Sequence, residues 1–145
     1  MPERPELVYE ELQVGKEFEP YRLVISQDFV DDFLQAIGED DTIYRNINVA
    51  NEWGFDRPIA PQSLAAVYAR ASYLKNYTMP GGGILAKQEF HFFHPIFVGD
   101  EIICKAKVAD RFLRKERKYV VIEIATHNLE GRQISLVRIE AIWPK

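Results

Sequence analysis

The run FLQAIGEDDTIYRNINVANEWGFDRPIAPQS (Phe33–Ser63) joins a helix end, an acidic turn, a short amphipathic segment and a second helix start. Just upstream, Ser26 suits an N-cap, and Phe29, Val30, Phe33, Leu34 and Ile37 recur at helical spacing, which predicts a helix over about 27–37. Gly38 ends it, since glycine accepts the left-handed backbone that closes a helix. Glu39, Asp40 and Asp41 then crowd three carboxylates onto a helix C-terminus, where the macrodipole disfavours negative charge. A local rule broken in this way marks a candidate functional site. Farther on, Pro58 and Pro61 hold Ile59 and Ala60 extended, and Pro61 suits the first turn of a helix running to about Leu74. The amides of Gln62 and Ser63 at that helix start would form a donor site at its positive end.

Outward from this run the chain reads as strands. Residues 1–8 are rich in proline and charge and are expected to form an arm on the surface. Glu17 to Ile25 carries Phe18, Tyr21, Leu23 and Ile25 and predicts a first strand, and Asn48 to Trp53 predicts a helical turn. In PQSLAAVYARASYL (Pro61–Leu74), Ala65, Ala66, Ala69, Ala71 and Ser72 let a helix lie close to a surface on more than one side. After the flexible Thr78–Gly83 turn come strands at Ile84–Phe93, at the alternation Ile102, Cys104, Ala106, Val108, at Tyr119–Thr126 and at Gln133–Ile142. The last two are joined by an Asn128–Gly131 hairpin. Strand, helical insert, long helix and four antiparallel strands describe an α+β domain in which one curved antiparallel sheet wraps a central helix. A sheet with an open edge calls for dimerisation.

Length and composition narrow the function classes. The 145 residues suit a single domain over 1–145, and 47% hydrophobic with 28% charged residues is ordinary globular composition. Eighteen basic against twenty-two acidic side chains give a net charge of -4, which argues against a general nucleic-acid partner. No apolar run reaches the roughly 20 residues that span a bilayer, and the single Cys104 forms no internal disulfide, so the expected setting is cytoplasmic. His91 and His94, three apart on a strand, face opposite sides and give no metal pattern with His127.

The central run resembles the signature of MaoC-like (R)-specific enoyl-thioester hydratases and 3-hydroxyacyl dehydratases: Gly-Asp-x-Asn-Pro-x-His, then a small residue, then Gly-Phe-x-x-Pro-Ile-Ala-Pro-Gly. Here the letters are Gly38, Glu39, Asp40, Asp41, Thr42, Ile43, Tyr44, then Ala50, then Gly54, Phe55, Pro58, Ile59, Ala60, Pro61 and Gln62. Gln88-Glu89-Phe90 through Pro95 to Gly99-Asp100 resembles the strand and turn of the fatty-acid-dehydratase-like branch. The resemblance implies a hot-dog fold, no cofactor, an acyl-CoA or acyl carrier protein thioester as ligand, and a homodimer or a heterodimer with another hot-dog subunit.

It also implies roles, residue by residue. Glu39 stands at the Asp position and Tyr44 at the His position of the dyad that holds the reacting water. The extra methylene of Glu39 moves its oxygens by about 1.5 Å, enough to degrade a positioned acid–base site. Only on the order of a thousandth of a tyrosine phenol with a pKa of about 10 is ionised at neutral pH, so Tyr44 donates a hydrogen bond but is a poor base. Asp41 and Thr42 replace the Asn-Pro pair, and a shift of the loop by one residue would put Asp40 in place of Glu39. The plainer alternative is a solvated acidic loop beside a partly buried aromatic. Gln62 and Ser63 are the candidate carbonyl-binding residues, and Trp53, Phe55 and Tyr68 are candidate walls of an acyl pocket, with core packing as their ordinary explanation. Arg114, Lys115 and Arg117 lie on a basic hairpin tip that is either a solvated loop or a contact for coenzyme A phosphates or an acidic carrier protein. Three functions follow: a subunit with a lost dyad beside a catalytic hot-dog partner, a self-sufficient hydratase, dehydratase or thioesterase using Glu39 and Tyr44, or an acyl-CoA sensor.

Overall fold

The alternation read in the sequence builds one five-stranded antiparallel sheet. The computed structural model describes residues 3–145. Strand β1 is Tyr21–Val24, β2 Ile84–Phe92, β3 Glu101–Arg114, β4 Arg117–Asn128 and β5 Gln133–Trp143, in the order β1-β3-β4-β5-β2. Helix α1 spans Gln27–Ile37 and α2 Ile47–Glu52, and α3, Ala65–Leu74, follows a 3-10 turn at Gln62–Leu64. Register shifts at Val108/Asp110, Leu85/Lys87 and Thr126/His127 mark bulges, each of which bends its strand and increases local twist. The sheet therefore curls, and α3 lies in its concave face against β1, β3 and β5. This is the hot-dog arrangement.

Small side chains make that wrapping possible. Ala65, Tyr68, Ala69 and Ser72 are buried against Cys104, Ile122, Ile124 and Val137 of the sheet core. The polar groups beneath the helix are satisfied: the Tyr68 hydroxyl and Ser135 Oγ lie 2.7 Å apart, Ser72 Oγ donates to the Ala69 carbonyl, and Thr126 Oγ1 donates to Cys104 Sγ at 3.4 Å. Burial pushes the Tyr68 phenol up to about 12, against a smaller lowering by its Ser135 hydrogen bond. Burial likewise pushes the Cys104 thiol up to about 11. Both groups fold neutral with raised pKa, so their contribution to stability is complete below the unfolded values and disappears as pH rises through the folded ones. Stability against denaturant is expected to be flat from about pH 7 to 9 and to fall between about pH 9 and 12. An unfolding midpoint unchanged at pH 12 would show that Tyr68 ionises without disturbing the core.

Two expectations need correction. The N-terminal arm lies on the surface only in part: residues 3–6 are exposed, but Leu7 is fully buried, as is Leu12 just beyond the arm. Leu7 N–H donates to the Thr78 carbonyl (2.9 Å), Thr78 N–H to the Pro5 carbonyl (2.8 Å), and the Trp143 indole donates to the Leu7 carbonyl (3.0 Å). The composition of residues 1–8 hid a single apolar anchor that completes the far end of the core. The first strand is also shorter than predicted. Before Pro20, only an isolated bridge from Glu17 to Lys107 continues the pairing.

Candidate active site

The acidic loop is a succession of caps. Ser26 Oγ accepts from Phe29 N–H to start α1, and Gly38 ends it in the left-handed region at φ 73°. Glu39 N–H then donates back to the Leu34 carbonyl at 2.9 Å. The Glu39 carboxylate accepts from Asp41 N–H at 3.1 Å, and Asp41 Oδ1 accepts from Ile43 N–H at 3.0 Å, capping a 3-10 turn at Thr42–Tyr44. Asn46 Oδ1 caps α2 in the same way. Two of the three carboxylates whose position breaks the macrodipole rule thus supply acceptors for the next turn, and all three residues are exposed.

Tyr44 is half-buried and packs against the core, its carbonyl held by Gln27 Nε2 at 3.1 Å. Its phenol is pushed above the ordinary 10.0 by burial first, then by the negative charges of Glu39 and Asp41. Tyr44 is thus more firmly protonated than a free tyrosine. Its alkaline titration, followed by tyrosinate absorbance against a Tyr44→Phe control, is expected above 10.0. Glu39→Gln and Asp41→Asn should each bring it down, and a titration below 10.0 would refute the assigned environment.

The second half of the site is a helix start. The chain leaves α2 with Phe55 N–H donating to the Ala50 carbonyl, then pairs with the turn after β2: Val98 N–H donates to Pro58 (2.9 Å) and Ala60 N–H to Ile96 (2.7 Å). An Ile59–Phe97 bridge lies between these bonds. Pro61, at φ -65° and ψ 139°, ends this extended segment and gives no side-chain cap, and the Gln62 and Ser63 amides that open the following turn donate to no acceptor among the described residues. The side chains of Gln62 and Ser63 are exposed there. Ile25 pairs with Gly99 and Asp100 on the other side of the same turn, which brings α1, the acidic loop and the start of α3 to one end of the sheet.

The remaining candidates separate. Phe55 stands at this end, edge-on to Phe97 with ring centroids 6.0 Å apart. Trp53 is also here but 71% exposed, and Tyr68 is buried under α3 against Ser135. Arg114, Lys115 and Arg117 sit at the opposite end of the same chain. Arg114 pairs with Arg117, one residue beyond the Lys118–Trp143 pair, while the β3 end nearest the helix start is Glu101. Arg57 escaped the sequence reading because it fills an unspecified letter between Phe55 and Pro58. Its guanidinium bonds Asp100 at 2.9 Å and lies 5.0 Å over the Phe97 ring, so it fixes the turn against which the helix start is built. His94 lies 3.3 Å from an Arg132 nitrogen and stacks edge-on with Phe97. No group of three or more metal-ligating side chains is found among the described residues.

The family model described as FAS1-like, dehydratase domain region, matches residues 12–137. The chain belongs to this family. Solved structures agree in fold. The MaoC-like dehydratase from Rhodospirillum rubrum superposes with a TM-score of 0.79 at 19% identity, covering 96% of this chain and 98% of that one. The R-hydratase PhaJ1 from Pseudomonas aeruginosa gives 0.77 at 21% identity over 94% of this chain and 85% of that one. The HadBC (3R)-hydroxyacyl-ACP dehydratase complex from Mycobacterium tuberculosis gives 0.78 at 18% identity over 89% and 96%. None of the curated proteins matches. The family model thus describes a dehydratase region, and the solved structures share the hot-dog fold that the resemblance implied. No helix among the described residues is long and apolar enough to cross a membrane.

Proposed function

We propose that this chain binds an acyl thioester, on coenzyme A or an acyl carrier protein, at the start of α3, and is a non-catalytic or weakly active subunit working beside a catalytic hot-dog partner. The observation that carries this reading is the state of the two dyad positions. Glu39 turns one carboxylate oxygen to the Asp41 amide, and Tyr44 is a phenol held protonated by burial and by its acidic neighbours. Adding water to an enoyl thioester requires a group that takes a proton from water and another that returns one to carbon, both aimed at the same site. A carboxylate engaged with the backbone and a reluctant phenol meet that need poorly, whereas the helix start retains amides without an acceptor. Those amides can bind a thioester oxygen without further chemistry.

The carbonyl contact has a selective test. Gln62→Pro removes one such N–H, and proline is compatible with the first helical turn and with an extended Pro61 before it. Calorimetric titration is expected to show several-fold weaker binding of butyryl-CoA, the cost of one hydrogen bond, with free coenzyme A unaffected. Equal losses for both ligands would mean that the helix start does not receive the thioester.

A further inference from the structure

Two cavities meet at Arg70. The first, a groove of about 390 Å³, runs between α3 and β2, with Ala66, Tyr73, Leu85, Ile139 and Ala141 in its walls. The second, about 590 Å³, opens beyond the end of α3 and has Arg4, Lys75, Tyr21 and Tyr77 in its walls. Arg70 and Met79 line both, so the largely apolar groove leads into a cationic chamber. No aspartate or glutamate lines either one. Arg70 is the single charged residue of α3, and among the described residues neither it nor Arg4 nor Lys75 forms an ion pair.

Part of this positive charge has a local use. Arg4 Nη1 donates to the Leu74 carbonyl at 2.9 Å, and cations suit the negative end of a helix. Arg70 has no such explanation, because it lies before the last turn of α3, which contains no basic residue. Its charge is felt in the groove: burial pushes the Tyr73 phenol up, and Arg70 partly offsets that rise. A guanidinium without a carboxylate, standing where an apolar groove ends, matches an anion carried on an apolar chain.

We infer that the acyl chain this protein takes ends in an anion: the preferred ligand is the monothioester of an α,ω-dicarboxylic acid, with its methylenes along the groove and its distal carboxylate on Arg70. The inference rests on the thioester reading above and names the acyl class of that same site. Gln62, Ala66 and Arg70 recur at intervals of four and are all exposed, so they follow one stripe of the helix surface from its start to the cationic chamber. From Gln62 to Arg70 the helix rises about 12 Å at roughly 1.5 Å per residue. An arginine side chain on a helix tilts towards the N-terminus, which shortens the span to that of a diacid of medium length. A plain acyl chain of that length sets a methyl group against the guanidinium and strips its water with no hydrogen bond in return. A carboxylate instead gains charge-assisted bonds from the planar fork of Arg70, with Lys75 as a second cation in the chamber. Selection therefore combines a gain for the charged end with a penalty on the uncharged one.

Octanoyl-CoA and suberyl-CoA share a chain length and differ in the distal group, so calorimetric titration with the pair tests the assignment. The unchanged protein should bind suberyl-CoA at least about tenfold more tightly, the scale of one hydrogen bond between charged groups. The ratio should shrink as salt is raised, because charges in an open chamber are screened. Arg70→Gln, at an exposed position, should bring the ratio of the two affinities to about one, and Arg70→Glu should invert it. Equal binding of both ligands by the unchanged protein overturns the diacid assignment and leaves the thioester reading standing. A preference for suberyl-CoA that survives Arg70→Gln places the distal carboxylate elsewhere and overturns the assignment too. Free suberate bound as tightly as suberyl-CoA would make the chamber a site for free acids, with the same consequence. If neither thioester binds, the thioester reading itself falls and the diacid assignment falls with it.

Discussion

Leu7→Ala is expected to lower the unfolding free energy by about 2–5 kcal/mol, a large part of the stability of an ordinary domain. The side chain is fully buried in the main core. Its truncation leaves a cavity that the surroundings are poorly able to fill, because the Leu7 N–H and carbonyl are both held, to Thr78 and to the Trp143 indole. Removing residues 1–8 should cost more, since it also leaves the buried Trp143 indole without its acceptor, a further loss of about 1–3 kcal/mol. The check is urea unfolding followed by Trp143 fluorescence, with Trp53→Phe as background to isolate the signal. A Leu7→Ala midpoint within error of the parent would mean that the arm is dispensable packing and not part of the core.

That anchor shows where the sequence was legible. Ser26 and Gly38 bound α1 because capping and helix termination are local chemistry, and both ends fall where the residues predict. The alternation Ile102, Cys104, Ala106, Val108 marked one face of β3 because a strand half-immersed in a core imposes a period of two. Leu7 gives no such signal. One apolar residue amid Pro5, Glu6 and their neighbours has no periodicity, and its partner Trp143 is 136 residues away. The site divides along the same line. The frame from Gly54 to Pro61 was visible because proline and glycine announce backbone shape. The burial of Tyr68 against Ser135 across the sheet was not, because a helix with buried residues around much of its circumference gives no sign of which partner each one meets. The side on which Arg114, Lys115 and Arg117 lie was hidden too, since it follows from strand register and not from composition.

The unmodified protein, purified free of contaminating hydratase, is expected to hydrate crotonyl-CoA at least about a thousandfold more slowly than a family enzyme with an intact Asp–His dyad, because each positioned acid–base group is worth about 10²–10⁴ in rate. Glu39→Asp with Tyr44→His restores both groups and should raise the rate at least tenfold. Either change alone should achieve little, since the two act on one water as a unit. Full activity is not expected from the pair of changes, for a reason visible in the loop. The residue at position 39 accepts from Asp41 N–H, and a shorter aspartate is better suited than glutamate to that local bond, so the new carboxylate would remain turned into the backbone. Adding Asp41→Asn and Thr42→Pro rebuilds the turn that the family motif uses and removes the Asp41 carboxylate that caps Ile43, so the four-fold variant should exceed the double one. The expected order in a single enoyl-CoA absorbance assay is therefore parent, then double, then four-fold variant. If the parent instead turns over rapidly and Tyr44→Phe abolishes that activity, Tyr44 is a working catalytic residue despite its raised pKa, and the self-sufficient homodimer replaces the partnered subunit as the function of this chain.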